Sequence, residues 1–275
     1  MVRSLQFLTN GNNSNITKTI NSIDYLFRKI MKMKYLFPFL FVIMMILFHN
    51  PVKALTRPIQ SDSLWYKNNL NYQLQIGYYD VYKTKQADIV MLGNSITHGA
   101  NWAELLGRSN VVDRGVPSDI VEGMLNRMDY IYKLHPKVCF IMAGVNDIYS
   151  WIPNETILKN YLEIINGLKA HNIKVVIFST LHTSADWAKD WLETNRPDLD
   201  VYEYNLGRNN EINKLNQSLS TYARSSGIEF VDLNKSMSNN NFIKKHLTYD
   251  GTHLNANGYK IWRDAVDKIL KKYGM

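Results

Sequence analysis

Five short apolar runs, separated by longer segments of helical period, constrain this 275-residue chain most. They cover residues 87–92, 110–112, 137–142, 173–180 and 228–233. Three are almost continuous in apolar residues. A strand with one wet face alternates polar and apolar side chains, whereas an unbroken apolar strand is covered on both faces. Between the runs, Ile120, Val121, Met124, Leu125, Met128 and Ile131 fall on one helical stripe, with Ser118 or Asp119 placed to cap it. Ile157, Leu158, Tyr161, Leu162, Ile165 and Leu168 form a second stripe, opened by Asn154. Tyr259, Trp262, Val266, Ile269 and Leu270 form a third. Strands alternating with helices predict an α/β fold: a three-layer α/β/α sandwich on a central five-stranded parallel sheet.

The alternation lapses over residues 181–204, where Trp187, Trp191, Pro197 and several acidic residues interrupt it. This stretch is expected to be an irregular, substrate-facing insertion. Residues 35–48 are almost unbroken in apolar character, preceded by Lys32 and Lys34 and followed by Val52-Lys53-Ala54. A basic start, a short apolar middle and small residues before a cut describe a signal peptide over 31–54. A bilayer span takes roughly 20 apolar residues, and Pro38 interrupts this run. Export to the periplasm or the cell exterior follows, with no stable membrane insertion once the signal is removed. Residues 1–30 read as an extension of uncertain role, and 55–275 as one domain.

The leader carries most of the charge excess. Of 32 Lys and Arg against 24 Asp and Glu, seven and one lie in residues 1–54, leaving 25 against 23. A nucleic-acid binder keeps its basic excess in the folded domain, so that partner class loses its support. The single cysteine, Cys139, sits in an apolar run and reads as a buried thiol. Nothing in the sequence specifies the oligomeric state.

Four segments carry the chemistry. Gly93-Asn94-Ser95 follows the first run, and Asp113-Arg114-Gly115-Val116-Pro117-Ser118-Asp119 the second. Gly144-Val145-Asn146-Asp147 follows the third, and Asp250-Gly251-Thr252-His253 precedes the last helix. Reactive groups of a doubly wound sheet gather beyond the carboxyl ends of its strands, so all four are expected to meet at one edge. Taken singly, each has a plain structural reading as a helix cap or a turn. Taken together, a hydroxyl, an imidazole and a carboxylate are the three groups that make serine nucleophilic.

The order, spacing and strand placement of the four segments resemble the SGNH hydrolases, also called GDSL esterases and lipases, from about residue 85 onward. The resemblance implies a flavodoxin-like sandwich and a triad of Ser95, His253 and Asp250. It implies oxyanion donors at the Ser95 N–H, the Asn146 side-chain amide and a backbone N–H of the loop after the second strand. Ser118 stands there where many relatives have glycine, and Gly115 is the alternative donor. The usual Gly-Asp-Ser is Gly93-Asn94-Ser95 here, which leaves the triad acid untouched.

Exported members of this kind often deacetylate carbohydrates, so an O-acetyl ester on a glycan or sialic-acid-type sugar is the expected substrate. Lysophospholipids, thioesters and aryl esters are the alternative within the family, and a noncatalytic carbohydrate-binding module the alternative outside it. Acetyl transfer between sugars uses the same acyl-enzyme. Trp102, Tyr149, Trp151, Trp187 and Trp191 are candidates to stack on a sugar, or to pack in the core. Gly-x-Ser-x-Gly is absent, so the chain does not use the α/β-hydrolase nucleophile elbow. No cofactor is expected. His98, His135, His171, His182 and His246 lack ligand spacing, so no metal is expected either.

Overall fold

A strand buried on both faces needs neighbours on either side, and the five apolar runs supply them to one another. The computed structural model describes residues 65–275, which lie within one compact unit; the expectations for residues 1–64, including the signal peptide, lie outside the described residues. The runs form Ile89–Gly93 (β1), Val111–Gly115 (β2), Val138–Met142 (β3), Lys174–Phe178 (β4) and Glu229–Val231 (β5). All pair in parallel, in the order β2-β1-β3-β4-β5. Every residue of the two central strands β1 and β3 is buried, whereas the edge strand β5 is half-buried throughout.

Helices cover both faces. On one, the helices Trp102–Leu106 and Ala256–Lys272 meet through Trp102 and Trp262, whose rings cross edge-on at 4.7 Å. On the other, the helices Val121–Leu125, Asn154–Ala170 and Val201–Ser225 pack together. Right-handed crossovers require this division: the chain leaves β1 toward β2 and then returns over β1 to β3. The point between β1 and β3, where the winding reverses, is where such sheets open a crevice. Gly93, Gly115 and Met142 stand level in the register, so three strands end together at its rim.

The last helix forms as its stripe predicts. Asn255 caps it by accepting from the Asn257 and Gly258 N–H groups, and it buries Trp262, Val266, Ile269 and Leu270. The stripe from Ile120 to Ile131 behaves differently. It forms two short helices, Val121–Leu125 and Asp129–Tyr132, and neither Ser118 nor Asp119 caps them. The break falls at Arg127, a fully buried cation whose guanidinium must reach acceptors deep in the sheet. Asn154 is the first helical residue of Asn154–Ala170, and its amide reaches Glu211 in place of capping.

Residues 181–204 are also less irregular than expected, since they hold the helix Lys189–Asn195 and the start of Val201–Ser225. The long helix lacks a clear apolar stripe because asparagines share its buried face. Asn205, Asn209 and Asn216 are buried beside Ile212, Leu215 and Leu219. A small hairpin, Ser238–Asn239 (β6) with Phe242–Ile243 (β7), turns through Asn240 and Asn241, both at positive φ. Among the described residues, no helix is long and apolar enough to cross a membrane.

Candidate active site

Ser95 is set by a tight join. β1 ends at Gly93, where Thr97 and the Met142 carbonyl leave no room for a Cβ. Asn94 then caps the helix Ser95–His98, its Oδ1 accepting the Ile96 N–H at 3.0 Å. Ser95 is the first residue of that helix, a position whose N–H has no acceptor within the helix.

The other two groups share one short loop. A bridge between Thr248 and Leu254 closes it, and the Tyr249 N–H donates to the His253 carbonyl at 3.1 Å. Asp250 Oδ1 accepts the Thr252 and His253 N–H groups at 2.9 and 2.8 Å, which turns the carboxylate toward the ring. Asp250 Oδ2 lies 2.6 Å from His253 Nδ1, and His253 Nε2 lies 2.9 Å from Ser95 Oγ. An ionised carboxylate only accepts, so in the neutral ring the proton sits on Nδ1 and Nε2 accepts from the serine. Burial acts to raise the Asp250 carboxyl, but the imidazole and the two backbone N–H groups outweigh it and hold it below its usual range.

The expected oxyanion donors follow the carboxyl ends of β2 and β3. Ser118 lies in the loop after β2 with φ of 59°, in the left-handed region where glycine is at ease. The alternative, the Gly115 N–H, already donates to Asp113 Oδ1 at 2.7 Å. Asn146 follows Gly144, whose φ of 109° turns the chain from β3 into the helix Val145–Tyr149. One N–H of its amide donates to the Asp119 carbonyl at 2.8 Å, leaving the second for a ligand.

Beneath these residues lies a polar support. Arg127 donates to the Gly93 carbonyl at 3.0 Å, the Arg114 carbonyl at 2.9 Å and Asp119 Oδ2 at 2.9 Å. One buried guanidinium thus ties the end of β1 to the loop after β2. Burial raises Asp119 to about 6 against the pull of Arg127. Asp147 accepts the Val121 N–H at 3.0 Å, and complete burial lifts it to about 7. Arg127 escapes a reading by motif, although a lone cation within the stripe of Met124 and Ile131 is a signal of a buried partner.

Asparagines fix the segment after β4. Asn216 pairs with both the N–H and the carbonyl of Thr180, at 2.8 and 2.9 Å. Asn209 does the same for Thr183, at 3.0 Å each, and Asn205 donates to the carbonyls of Ala185 and Trp187. The segment so held donates from the Ser184 N–H to the Gly251 carbonyl at 2.7 Å, bracing the Asp250–His253 loop.

The aromatic candidates divide. Trp102 is buried, donates to the Thr97 carbonyl and belongs to the core. Tyr149 meets Trp187 edge-on at 4.3 Å, and Trp187 borders Gly251. Trp151 carries Arg208 on its ring, and Trp191 is exposed on its helix. Tyr249, which aromatic spacing did not single out, is 72% exposed and lies parallel to His253 at 5.7 Å. Among the histidines, His182 is buried between Ser238 and Asn213, and His98 faces Asp113 at 3.3 Å. Among the described residues, no cluster of three His, Cys, Asp or Glu side chains is arranged to hold a metal.

Comparison with known proteins agrees with this architecture. The GDSL-like Lipase/Acylhydrolase family model matches residues 91–261. A GDSL-like lipase from Bacteroides thetaiotaomicron superposes with a TM-score of 0.60 at 23% identity, over 74% of this chain and 98% of that one. A Bacteroides fragilis protein assigned as an acylhydrolase gives 0.59 at 24% identity, over 76% and 98%. A lipase/acylhydrolase from Enterococcus faecalis gives 0.53 at 20% identity, over 68% and 97%. At these identities the likeness is one of fold. No curated protein matches the sequence. With a parallel five-stranded sheet, the four segments at its carboxyl edge and the family match across most of the described residues, the chain belongs to the GDSL-like lipase/acylhydrolase family.

Proposed function

We propose that the protein is an exported serine esterase that removes acyl groups, chiefly acetyl, from carbohydrate esters through Ser95, His253 and Asp250. The observation that carries the reading is the unbroken hydrogen-bonded line from Ser95 Oγ through both imidazole nitrogens to Asp250 Oδ2, at 2.9 and 2.6 Å. In the first step Ser95 Oγ bonds to the acyl carbon while its proton passes to His253 Nε2. The carbonyl becomes an oxyanion, held by the Ser95 N–H, the Ser118 N–H and the free N–H of Asn146. Collapse breaks the bond to the alcohol, which leaves with the proton from Nε2, and an ester remains on Ser95. Water then loses a proton to Nε2 and attacks that ester. A second collapse releases the acid and returns the proton to Ser95.

Access favours a large, polar substrate. The Asp250 and His253 side chains are 37% and 31% exposed, and Tyr249 beside them presents an aromatic face to solvent. Such a face stacks on the apolar side of a sugar ring. Acetate release from a panel of acetylated glycans, with p-nitrophenyl acetate as a simple reference ester, tests the proposal. Ser95→Ala is expected to abolish both activities. Turnover that persists unchanged in that variant sinks the enzyme mechanism, and a strong preference for long acyl chains sinks the sugar assignment alone.

A further inference from the structure

A segment outside the family match reaches the loop after β2. The helix Leu70–Val81 precedes β1 and lies ahead of residues 91–261. Asn69 caps it, with Oδ1 accepting the Asn71 N–H at 3.0 Å. Capping uses the amide oxygen alone. The amide nitrogen, Nδ2, donates to the Pro117 carbonyl at 2.9 Å, 48 residues away in sequence. The backbone behind it is fixed too. The Asn69 N–H donates to the Tyr66 carbonyl at 3.1 Å, and Tyr66 is buried against Gly123. An aspartate would cap this helix as well as asparagine does, but an ionised carboxylate could not make the second bond.

The second bond falls on the peptide that carries the Ser118 N–H. Residues Val116 to Asp119 form a β-turn, closed by the Asp119 N–H donating to the Val116 carbonyl at 3.1 Å. Proline fixes a negative φ at Pro117 and Ser118 holds φ of 59°, the pattern of a type II turn. A type I turn joins the same two ends, and the two types differ by a flip of the central peptide. Serine by itself favours type I, because only type II asks it for positive φ. In a trans peptide the C=O and N–H point opposite ways, so Asn69 on the Pro117 carbonyl holds the Ser118 N–H on the other edge. Among the described residues nothing accepts that N–H. The Asp119 carbonyl is held separately, by Asn146 at 2.8 Å. We infer that Asn69 is a positioning residue for the oxyanion hole: its side-chain amide keeps the Pro117–Ser118 peptide flipped so that the Ser118 N–H faces substrate. The inference rests on the esterase reading and deepens it.

The test measures kcat and KM on p-nitrophenyl acetate for Asn69→Asp and Asn69→Ser, each made with Ser118 and again with Ser118→Gly. Both substitutions keep an oxygen to cap the helix; aspartate lacks the donor to Pro117, and serine lacks the reach. Active sites are counted by exhaustive labelling with a fluorophosphonate, so protein lost to misfolding does not enter kcat. With Ser118 in place, each substitution is expected to lower kcat about tenfold at unchanged KM, the worth of one net hydrogen bond. With Ser118→Gly, whose turn accepts positive φ without support, the same substitutions are expected to cost less than about threefold. Equal losses in the two backgrounds would mean that Asn69 acts only on the fold at large, and would overturn the positioning role. Active wild-type protein whose kcat is matched by both Asn69 variants overturns that role alone. Wild-type protein that neither hydrolyses the ester nor takes the label overturns the esterase reading and the role with it.

Discussion

Ser118 holds φ at 59°, a conformation that costs an L residue about 1–2 kcal/mol and glycine almost nothing. In the proposed mechanism the backbone N–H there is the oxyanion donor, and the side chain takes no part. Ser118→Gly should therefore keep kcat within about threefold of wild type and leave the melting temperature unchanged or higher. A much larger loss of kcat would mean that the hydroxyl itself acts. Asn146 differs, because its donor is the side chain. Asn146→Ala should lower kcat by about 10²–10³ with little change in KM, the signature of a contact made only in the transition state. Steady-state kinetics on p-nitrophenyl acetate separates the two cases.

Elements here are joined by buried polar groups as much as by apolar contact. The helix Val201–Ser225 presents Asn209 to the chain after β4, satisfying the Thr183 N–H and carbonyl together. Asn209→Leu would leave the Thr183 N–H buried without a partner, at about 1–3 kcal/mol, and its carbonyl with the Ile243 N–H alone. Urea denaturation should show the loss, and kcat should fall because the same segment braces the Asp250–His253 loop. Arg127 joins β1 to the loop after β2 through three bonds. Removing it as Arg127→Met leaves Asp119 buried and unpaired, a change that costs about 3–5 kcal/mol for such pairs. Adding Asp119→Asn should recover part of that stability, since the stranded charge goes with it.

At the scale of the whole molecule, a fully buried carboxyl makes stability depend on pH. Asp147 titrates near 7 in the folded protein, against 3.8 as its ordinary value. Between those values the folded state binds more protons than the unfolded state, so stability falls as pH rises through that window and levels off above it. The slope is at most about 1.4 kcal/mol per pH unit for one proton. Asp250 works in the opposite sense, since its carboxyl is held down, but its contribution is lost only as pH falls below about 4. Asp147→Asn keeps an oxygen to accept the Val121 N–H and removes the titration. Urea midpoints measured from pH 5 to pH 8 should decline in wild type more steeply than in this variant. Equal slopes would show that Asp147 is ionised throughout.

How much was legible in the chain follows from the range over which each signal acts. Apolar continuity over five or six residues marks a doubly covered strand, so β1, β3 and β4 could be read directly, and their alternation with helical stripes gave the sandwich. The Asp250–His253 loop is local as well, since its turn is made by bonds across two and three residues. The broken helix at Arg127 and the asparagine face of Val201–Ser225 were not legible, because each answers to acceptors far away in sequence. Periodicity reports apolar burial and is blind to a buried amide or guanidinium. The sequence by itself determined the strand order along the chain, the residues able to form a serine, histidine and aspartate triad, and the family. Only tertiary structure decided that Ser95 and His253, 158 residues apart, meet at 2.9 Å, and that Gly115 is already committed to Asp113. Those outcomes depend on how the sheet winds about β1, which no local stretch of residues encodes alone.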